Sequence, residues 1–286
     1  MKIIKIFGGL GNQMFQFAFS LKLNQLGFKI CHDDSWFSHY YAHTNIKIDT
    51  VFNLTFNRPS TFVSLLLNIN QNQFFGKGLK KALRLLGKYY TDGDNFNFRN
   101  FKPDSTIVFD GYWQDLNYIP FEPSLLKEKF EFKETLFSHE DFSLRTQIEN
   151  TCSVSLHVRR NDYLSKTNAS IFGNICTADY YNNSIHKIQE FLHSPVFYIF
   201  SDDIQWCRKN FCFLKQCHFV DQNIAGNNFK DMWLMKHCKH NIIANSSFSW
   251  WGAFLNQNEE KIVIAPKKWK NINDRNNIIP SAWIRI

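Results

Sequence analysis

The chain has 286 residues, 44% of them hydrophobic and 20% charged, which excludes a disordered protein and leaves room for two domains. Its formal net charge of +8 fits a nucleic acid, an anionic membrane surface or a nucleotide-bearing substrate as partner, and fits solubility alone equally well. No nucleic-acid motif and no apolar run long enough to span a membrane is present, and the seven cysteines form no C-x-x-C pair. We therefore expect a cytoplasmic protein with free thiols that binds no nucleic acid.

The first half of the chain begins with a strand, a glycine turn, a helix and a second strand, which indicates a parallel sheet. These elements are predicted at residues 2–7, 13–26 and 28–32. From about residue 35 to 150 the pattern is less regular. It contains an amphipathic basic helix at 77–90 and a strand at 106–109, which leads into the tetrapeptide GYWQ.

The second half alternates five predicted strands with four predicted helices, the pattern of a doubly wound α/β domain. The strands are predicted at 153–158, 196–200, 217–220, 241–244 and 261–265, and the helices at 178–193, 203–211, 229–239 and 248–256. We place the domain boundary at residue 150, giving domains 1–150 and 151–286, and expect the tail after residue 266 to cross back over the first.

Polar side chains follow the strands of the second half, at the edge where open α/β sheets bind their ligands. Arg159 and Arg160 come directly after an apolar strand. An arginine pair is often only a surface feature, but an unpaired charge beside a buried strand is unfavourable, which favours phosphate binding. Asp162 would orient one guanidinium group.

Two further strand ends carry groups with more than one interpretation. One serine among Ser246, Ser247 and Ser249 is expected to cap the following helix, whose N-terminus would also attract an anion. Asp202 and Asp203 either cap a helix or accept hydrogen bonds from a nucleoside, while metal binding ranks last because two arginines already offset a diphosphate.

The glycine turn of the first half lets the backbone approach a ligand closely. It fails as a dinucleotide fingerprint because Met14 replaces the third glycine, although Asp33 is suitably spaced for a ribose contact, so a nicotinamide enzyme stays an alternative. His157 lies within a strand, where a core histidine is more common than a catalytic one. The basic helix at 77–88 is either a solvated face or a membrane-surface contact.

Five motifs resemble, in order, those of the bacterial alpha-1,2-fucosyltransferases, glycosyltransferase family eleven. They are GGLGNQMFQFA at 8–18, GYWQ at 111–114, HVRRNDY at 157–163, FSDD at 200–203 and NSSFSWWGAFL at 245–255. The resemblance implies an α/β, GT-B-like fold with two Rossmann-like domains facing each other across a cleft. It also implies GDP-fucose as donor, inversion at the anomeric carbon and no metal or other cofactor.

Carried onto this chain, the resemblance assigns the residues of three groups. Arg159 and Arg160 would hold the donor diphosphate, with Asp162 or His157 as the general base. Other donor contacts would come from Gly9, Gly11, Asn12, Asp202, Asp203, Ser246, Ser247, Phe248 and Ser249. The acceptor, a galactose-terminated glycan of a surface polysaccharide or H-type chain, would meet Tyr112, Trp113 and Gln114, with Tyr112 or Trp113 stacking on a sugar face.

One position departs from the family pattern, because Asn161 stands where the resembling motif has glycine. Asparagine tolerates a left-handed backbone better than most residues, so this change concerns the loop geometry and not the donor. Two other functions stay open at this point: a related transferase with a different donor or acceptor, and a non-catalytic module that binds nucleotide sugars. The acceptor and the oligomeric state do not follow from the sequence.

Overall fold

The computed structural model describes residues 1–39, 46–60, 63, 74–165, 167–221, 227–272 and 277–286. The chain divides into two compact units, Met1–Glu131 and Phe132–Ile286. This division comes before the boundary that we placed at residue 150. The reason is that the segment preceding the second sheet packs on the second unit, where the rings of Phe137 and Trp233 stack at 4.0 Å.

The first unit is built around a four-stranded parallel sheet in the order β2-β1-β4-β3. Its elements are β1 (Lys2–Lys5), α1 (Leu10–Gln25), β2 (Ile30–Asp33), α2 (Trp36–His39), α3 (Ile48–Val51), α4 (Phe74–Leu85), β3 (Tyr89–Thr91), β4 (Ile107–Asp110) and α5 (Pro123–Lys129). Strand β1 is fully buried, as expected for the centre of a parallel sheet covered on both faces.

The second unit contains a six-stranded parallel sheet in the order β10-β9-β8-β5-β6-β7. Its elements are α6 (His139–Glu149), β5 (Ser153–Val158), α7 (Ala169–Phe172), α8 (Ala178–Gln189), β6 (Val196–Ser201), α9 (Ile204–Asn210), β7 (Cys217–Val220), α10 (Phe229–His237), β8 (His240–Ile242), α11 (Ser247–Leu255), β9 (Val263–Ala265) and β10 (Ile284–Arg285). The predicted α/β class with parallel sheets is confirmed.

Two predictions about the chain path are wrong. The helix predicted to reach residue 90 ends at Leu85, because Gly87 takes a positive φ of 63° and closes the helix before β3 begins. The tail after residue 266 was expected to cross back over the first half. It returns to the second unit's own sheet instead, where Ile284 of β10 pairs in parallel with Ile264 of β9.

None of the helices in the described part of the chain is long and apolar enough to cross a membrane. All seven cysteines are free thiols, as the sequence predicted.

Candidate active site

Two arginines and two aspartates face each other at the carboxyl ends of β5 and β6. Nη1 of Arg159 lies 3.2 Å from Asp202 Oδ2, and Nε of Arg160 lies 3.2 Å from Asp203 Oδ2. The backbone N–H of Arg160 also donates to Asp202 Oδ1 at 2.9 Å. The predicted meeting of the arginine and aspartate motifs at one sheet edge is confirmed.

The pairing of β5 with β6 explains why these groups meet. The two strands run in parallel with Val158 opposite Ser201, so the residues that follow each strand emerge side by side. Asp203 caps α9 by accepting the N–H of Trp206 at 3.1 Å, and the Trp206 ring lies 4.2 Å from the guanidinium carbon of Arg160. A cation–π contact of this kind fixes the arginine further.

Asp202 and Asp203 hold the arginines, a role that we had not predicted for them. Asp162 was expected to orient a guanidinium group. Its side chain lies outside the described part, so this expectation stays a prediction. Asn161 donates its backbone N–H to Asp202 Oδ2 at 3.2 Å and its side-chain amide to the carbonyl of Asp202. Among described residues other than glycine, φ is positive only at Trp113, Asn174 and Ser194, so Asn161 does not replace glycine in a left-handed position.

A cavity of about 290 Å³ opens beside the arginines. Its walls combine the two guanidinium groups with the aromatic rings of Tyr163 and Trp206, together with polar residues from the start of α8. Sequence reasoning missed the α7–α8 part of this wall, which includes Asn174 and Thr177. The signal was present, since Thr177 precedes a predicted helix and caps it by accepting the Tyr180 N–H at 3.3 Å.

The serines at the start of α11 have separate roles. Ser246 is the N-cap, accepting the N–H of Phe248 at 3.3 Å, as predicted for one serine of the group. Ser249 is 1% exposed and its hydroxyl donates to the Ser246 carbonyl at 3.4 Å, so its role as a donor contact stays a prediction. Ser247 lies at the first helical position, half-buried.

His157 is a buried core residue in β5. Burial, with the nearby charge of Arg159 in addition, lowers the pKa of His157 to about 3. Its ring packs 5.7 Å from that of Phe248, and its Nδ1 has no hydrogen-bond partner among the described residues. The side chain is therefore neutral at physiological pH.

In the first unit, the glycine turn after β1 is covered by two side chains. Gly8 has a φ of +77°, and a β-carbon there would lie 3.2 Å from Asn12 Nδ2 and 3.3 Å from Tyr112 Cε1. Asn12 in turn accepts a hydrogen bond of 2.7 Å from Gln114 Nε2. The GGLGN and GYWQ motifs thus form one surface, which the sequence had assigned to two different substrates.

Of the residues predicted for the acceptor, Trp113 cannot stack on a sugar in this structure. It is 1% exposed, with its ring stacked on Phe19 at 4.8 Å, whereas the neighbouring Tyr112 is 37% exposed. Asp92, which the sequence analysis did not single out, shapes this loop by accepting the backbone N–H groups of Tyr112 and Trp113 at 2.7 and 2.9 Å.

Two buried glutamines in the first motif also escaped the sequence analysis. Gln13 donates to the carbonyls of Gly8 and Ile46 and accepts the N–H of Ile48, each at 2.8 Å. Gln16 accepts the N–H of Phe7 at 3.0 Å and donates to the Gly111 carbonyl at 3.1 Å. These side chains hold the loops and do not face a ligand.

The described residues contain no group of three or more His, Cys, Asp or Glu side chains that could hold a metal ion.

Parallel α/β sheets with an arginine pair at a strand end are compatible with a glycosyltransferase, and comparison with known proteins identifies that class. The chain belongs to Glycosyl transferase family 11, whose model matches residues 2–286. It is 32% identical to the O-antigen biosynthesis glycosyltransferase WbnK of Escherichia coli, over 98% of each chain. It is also 32% identical to an alpha-1,2-colitosyltransferase of E. coli, over 99% of this chain and 98% of that one.

The solved structure of the NodZ alpha-1,6-fucosyltransferase soaked with GDP-fucose superposes with a TM-score of 0.55. The match covers 89% of this chain and 91% of that one at 14% sequence identity, and it confirms the predicted GT-B-like fold.

Proposed function

We propose that the protein transfers L-fucose from GDP-fucose to the 2-hydroxyl of a terminal galactose, with inversion at the anomeric carbon. The observation that carries the proposal is the arginine pair, held by two carboxylates beside a cavity at the end of β5. Family membership and the alpha-1,2 linkage in the name of one relative support the reaction, and the donor in the NodZ structure supports GDP-fucose.

In this reaction the bond between the fucose anomeric carbon and the diphosphate oxygen breaks, and negative charge grows on the departing GDP. Fixed guanidinium groups stabilise that charge without having to reorganise. Arg159 and Arg160 fit this role because Asp202, Asp203 and the Trp206 ring already set their directions. Asp202 and Asp203 therefore act in the proposal as positioning residues and not as contacts to guanosine.

In this proposal the acceptor binds to the first unit, which also carries the glycine turn. Gly9, Gly11 and Asn12 would approach the donor through their backbone and amide groups, and Tyr112 would stack on the acceptor sugar with Gln114 beside it. Support comes from the exposed edge of Tyr112 and from the hydrogen bond between Gln114 and Asn12. The acceptor is part of an O-antigen or another galactose-terminated surface glycan, as the WbnK relationship favours.

The attacking hydroxyl must lose its proton as the new glycosidic bond forms, and we assign that proton to Asp162. The alternative, His157, is disfavoured because it is buried within β5, with only 5% of its surface exposed, out of reach of an acceptor hydroxyl. Asp162→Asn should abolish the transfer while GDP still binds.

No metal ion takes part in the proposed reaction, since the two guanidinium groups supply the positive charge for the diphosphate. The location is the cytoplasm, where the seven thiols would stay reduced.

The decisive experiment incubates the purified protein with GDP-fucose and a panel of galactosides, with and without EDTA, and identifies products by mass spectrometry and NMR. We expect an alpha-1,2-linked fucosyl product whose yield EDTA does not change. GDP-colitose is the matched competing donor, because colitose lacks the 3-hydroxyl of fucose. If GDP-colitose gives a product and GDP-fucose gives none, the enzyme is a colitosyltransferase. If EDTA abolishes activity, the reaction requires a metal ion.

Arg160→Ala tests the arginine assignment. Removing one preorganised group that stabilises transition-state charge lowers kcat by roughly 100-fold to 1,000-fold. Arg208→Ala is the matched control, because Arg208 pairs with Asp221 on the surface of the same unit. If the two variants have equal kinetics, Arg160 is a surface residue that takes no part in the transfer.

A further inference from the structure

Helix α4 of the first unit has one attached face and one exposed face. On the attached side, Leu83 packs against the cluster of Ile3, Tyr89 and Val108, while Lys80 lies 3.4 Å from Asp110. Arg84 forms an ion pair with Asp94. These two basic side chains are engaged within the protein, so they hold the helix in place.

The exposed side carries large apolar groups. Leu85, the last residue of the helix, is 82% exposed, and Leu86, which follows it, is 71% exposed. Single exposed leucines are ordinary on protein surfaces, but two adjacent leucines that are both more than two thirds exposed favour an interaction site.

Cations border the exposed leucines. Lys81 is exposed on the same helix, and Lys88 lies three residues after its last residue, Leu85. Lys88 and Lys102 line a cavity of about 350 Å³ whose wall also includes Leu86, Asn95, Asn97 and Asn100. The acidic neighbour Asp94 is matched by Arg84, and Asp104 is the exposed carboxylate beside Lys102.

We propose that this face, formed by Lys81, Leu85, Leu86, Lys88 and Lys102, docks on an anionic phospholipid surface. The leucines would enter the boundary between headgroups and acyl chains, while the lysines meet lipid phosphates and the cavity receives a headgroup. Charge complementarity favours lipid over a second copy of this chain, because a copy would bring the same cations together. The proposal does not depend on which sugar the enzyme transfers.

The test is co-sedimentation of the full chain with vesicles of equimolar phosphatidylglycerol and phosphatidylcholine, compared with vesicles of phosphatidylcholine alone. We expect binding to the anionic vesicles only, weakened by added salt. The double variant Leu85→Ser, Leu86→Ser should bind about tenfold more weakly or worse, because its apolar anchor is gone. Lys81→Gln should weaken binding about fivefold, the effect of one lysine near an anionic surface.

Phe213→Ser is the matched control, since Phe213 is 50% exposed beside Lys215 on the second unit and should leave vesicle binding unchanged. Transfer to a soluble galactoside should stay the same in every variant, which separates this proposal from the proposed function. Equal binding to both vesicle types, or unchanged binding by the leucine variant, would overturn it. A dimer that the leucine variant loses, without vesicle binding by the wild type, would identify an interface between copies instead.

Discussion

Asp203 joins Arg160 to the start of a helix: its Oδ2 lies 3.2 Å from Arg160 Nε, while its Oδ1 accepts the N–H of Trp206 at 3.1 Å. The direction of the guanidinium group is therefore tied to α9, a rigid element next to the sheet. Because the same carboxylate serves both contacts, its charge and its capping role can be separated by substitution.

Asp203→Asn keeps a good capping side chain but removes the negative charge that orients Arg160. We expect kcat/KM for GDP-fucose to fall about tenfold, the scale of one charge-assisted hydrogen bond, with little change in the melting temperature. Steady-state kinetics and thermal unfolding measure the two effects. Asp221→Asn, which removes the exposed partner of Arg208, should change neither. A large loss of stability in Asp203→Asn would show that the cap and not the charge had been broken.

Gly8 and Gly9 should respond differently to alanine. Gly8→Ala should lower the free energy of unfolding by about 1–2 kcal/mol, because its φ of +77° is strained for a residue with a β-carbon. The close approach of Asn12 and Tyr112 adds to this. Gly9→Ala should leave stability nearly unchanged, since Gly9 has an extended backbone and a β-carbon there meets no heavy atom within 4 Å. Urea unfolding compares the two, and equal effects would refute the strain argument.

Tyr112 and Trp113 are neighbours with opposite expected phenotypes. Trp113→Ala should destabilise the protein by about 3–5 kcal/mol, because it empties a site inside an aromatic cluster. Tyr112→Ala should leave the fold intact and raise KM for the acceptor about tenfold, since the loss of one stacked aromatic removes roughly 1–2 kcal/mol of binding. Denaturation and acceptor kinetics distinguish them. An unaltered acceptor KM in Tyr112→Ala would remove this residue from the acceptor site.

Acid should destabilise the second unit through His157. Its pKa is about 3 in the folded protein and near 6.5 in the unfolded chain, so the unfolded chain binds the proton first as the pH falls. The free energy of unfolding therefore has its full value, as far as His157 is concerned, above about pH 6.5. It falls as the pH is lowered from there to about pH 3. At about pH 5 the loss is about 2 kcal/mol.

His157→Gln cannot titrate and should show a smaller loss of stability between about pH 7 and about pH 5 than the wild type. The comparison within each protein cancels the effect of the substitution itself at neutral pH. His218→Gln is the control, because His218 is exposed on β7. Identical pH dependence in the wild type and His157→Gln would contradict the burial argument.

The strands that carry the site were predictable because of their composition. The bounds of β5 and β7 match the prediction, since apolar runs bounded by polar residues mark buried parallel strands well. The short β3 and β10 were missed, because three or two residues give no periodic signal.

Some features of the site could likewise be predicted from the local sequence, and others could not. Arg159 and Arg160 stood out through their position after a strand, but their pairing with Asp202 and Asp203 depends on the register of β5 against β6, which a local pattern does not contain. Trp113 was misplaced because an aromatic residue in a loop looks the same whether it faces solvent or core. Burial of such side chains is decided by distant segments.

Gln13 and Gln16 link three separate segments of the first unit by hydrogen bonds. Through these two amides, the turn after β1, the segment at 46–48 and the loop after β4 share their hydrogen bonds with one turn of α1. Releasing any one of these segments leaves a buried amide group unsatisfied. The three segments therefore open as one cooperative unit, so their backbone amides should exchange with solvent deuterium at a common rate, set by the helix that holds them.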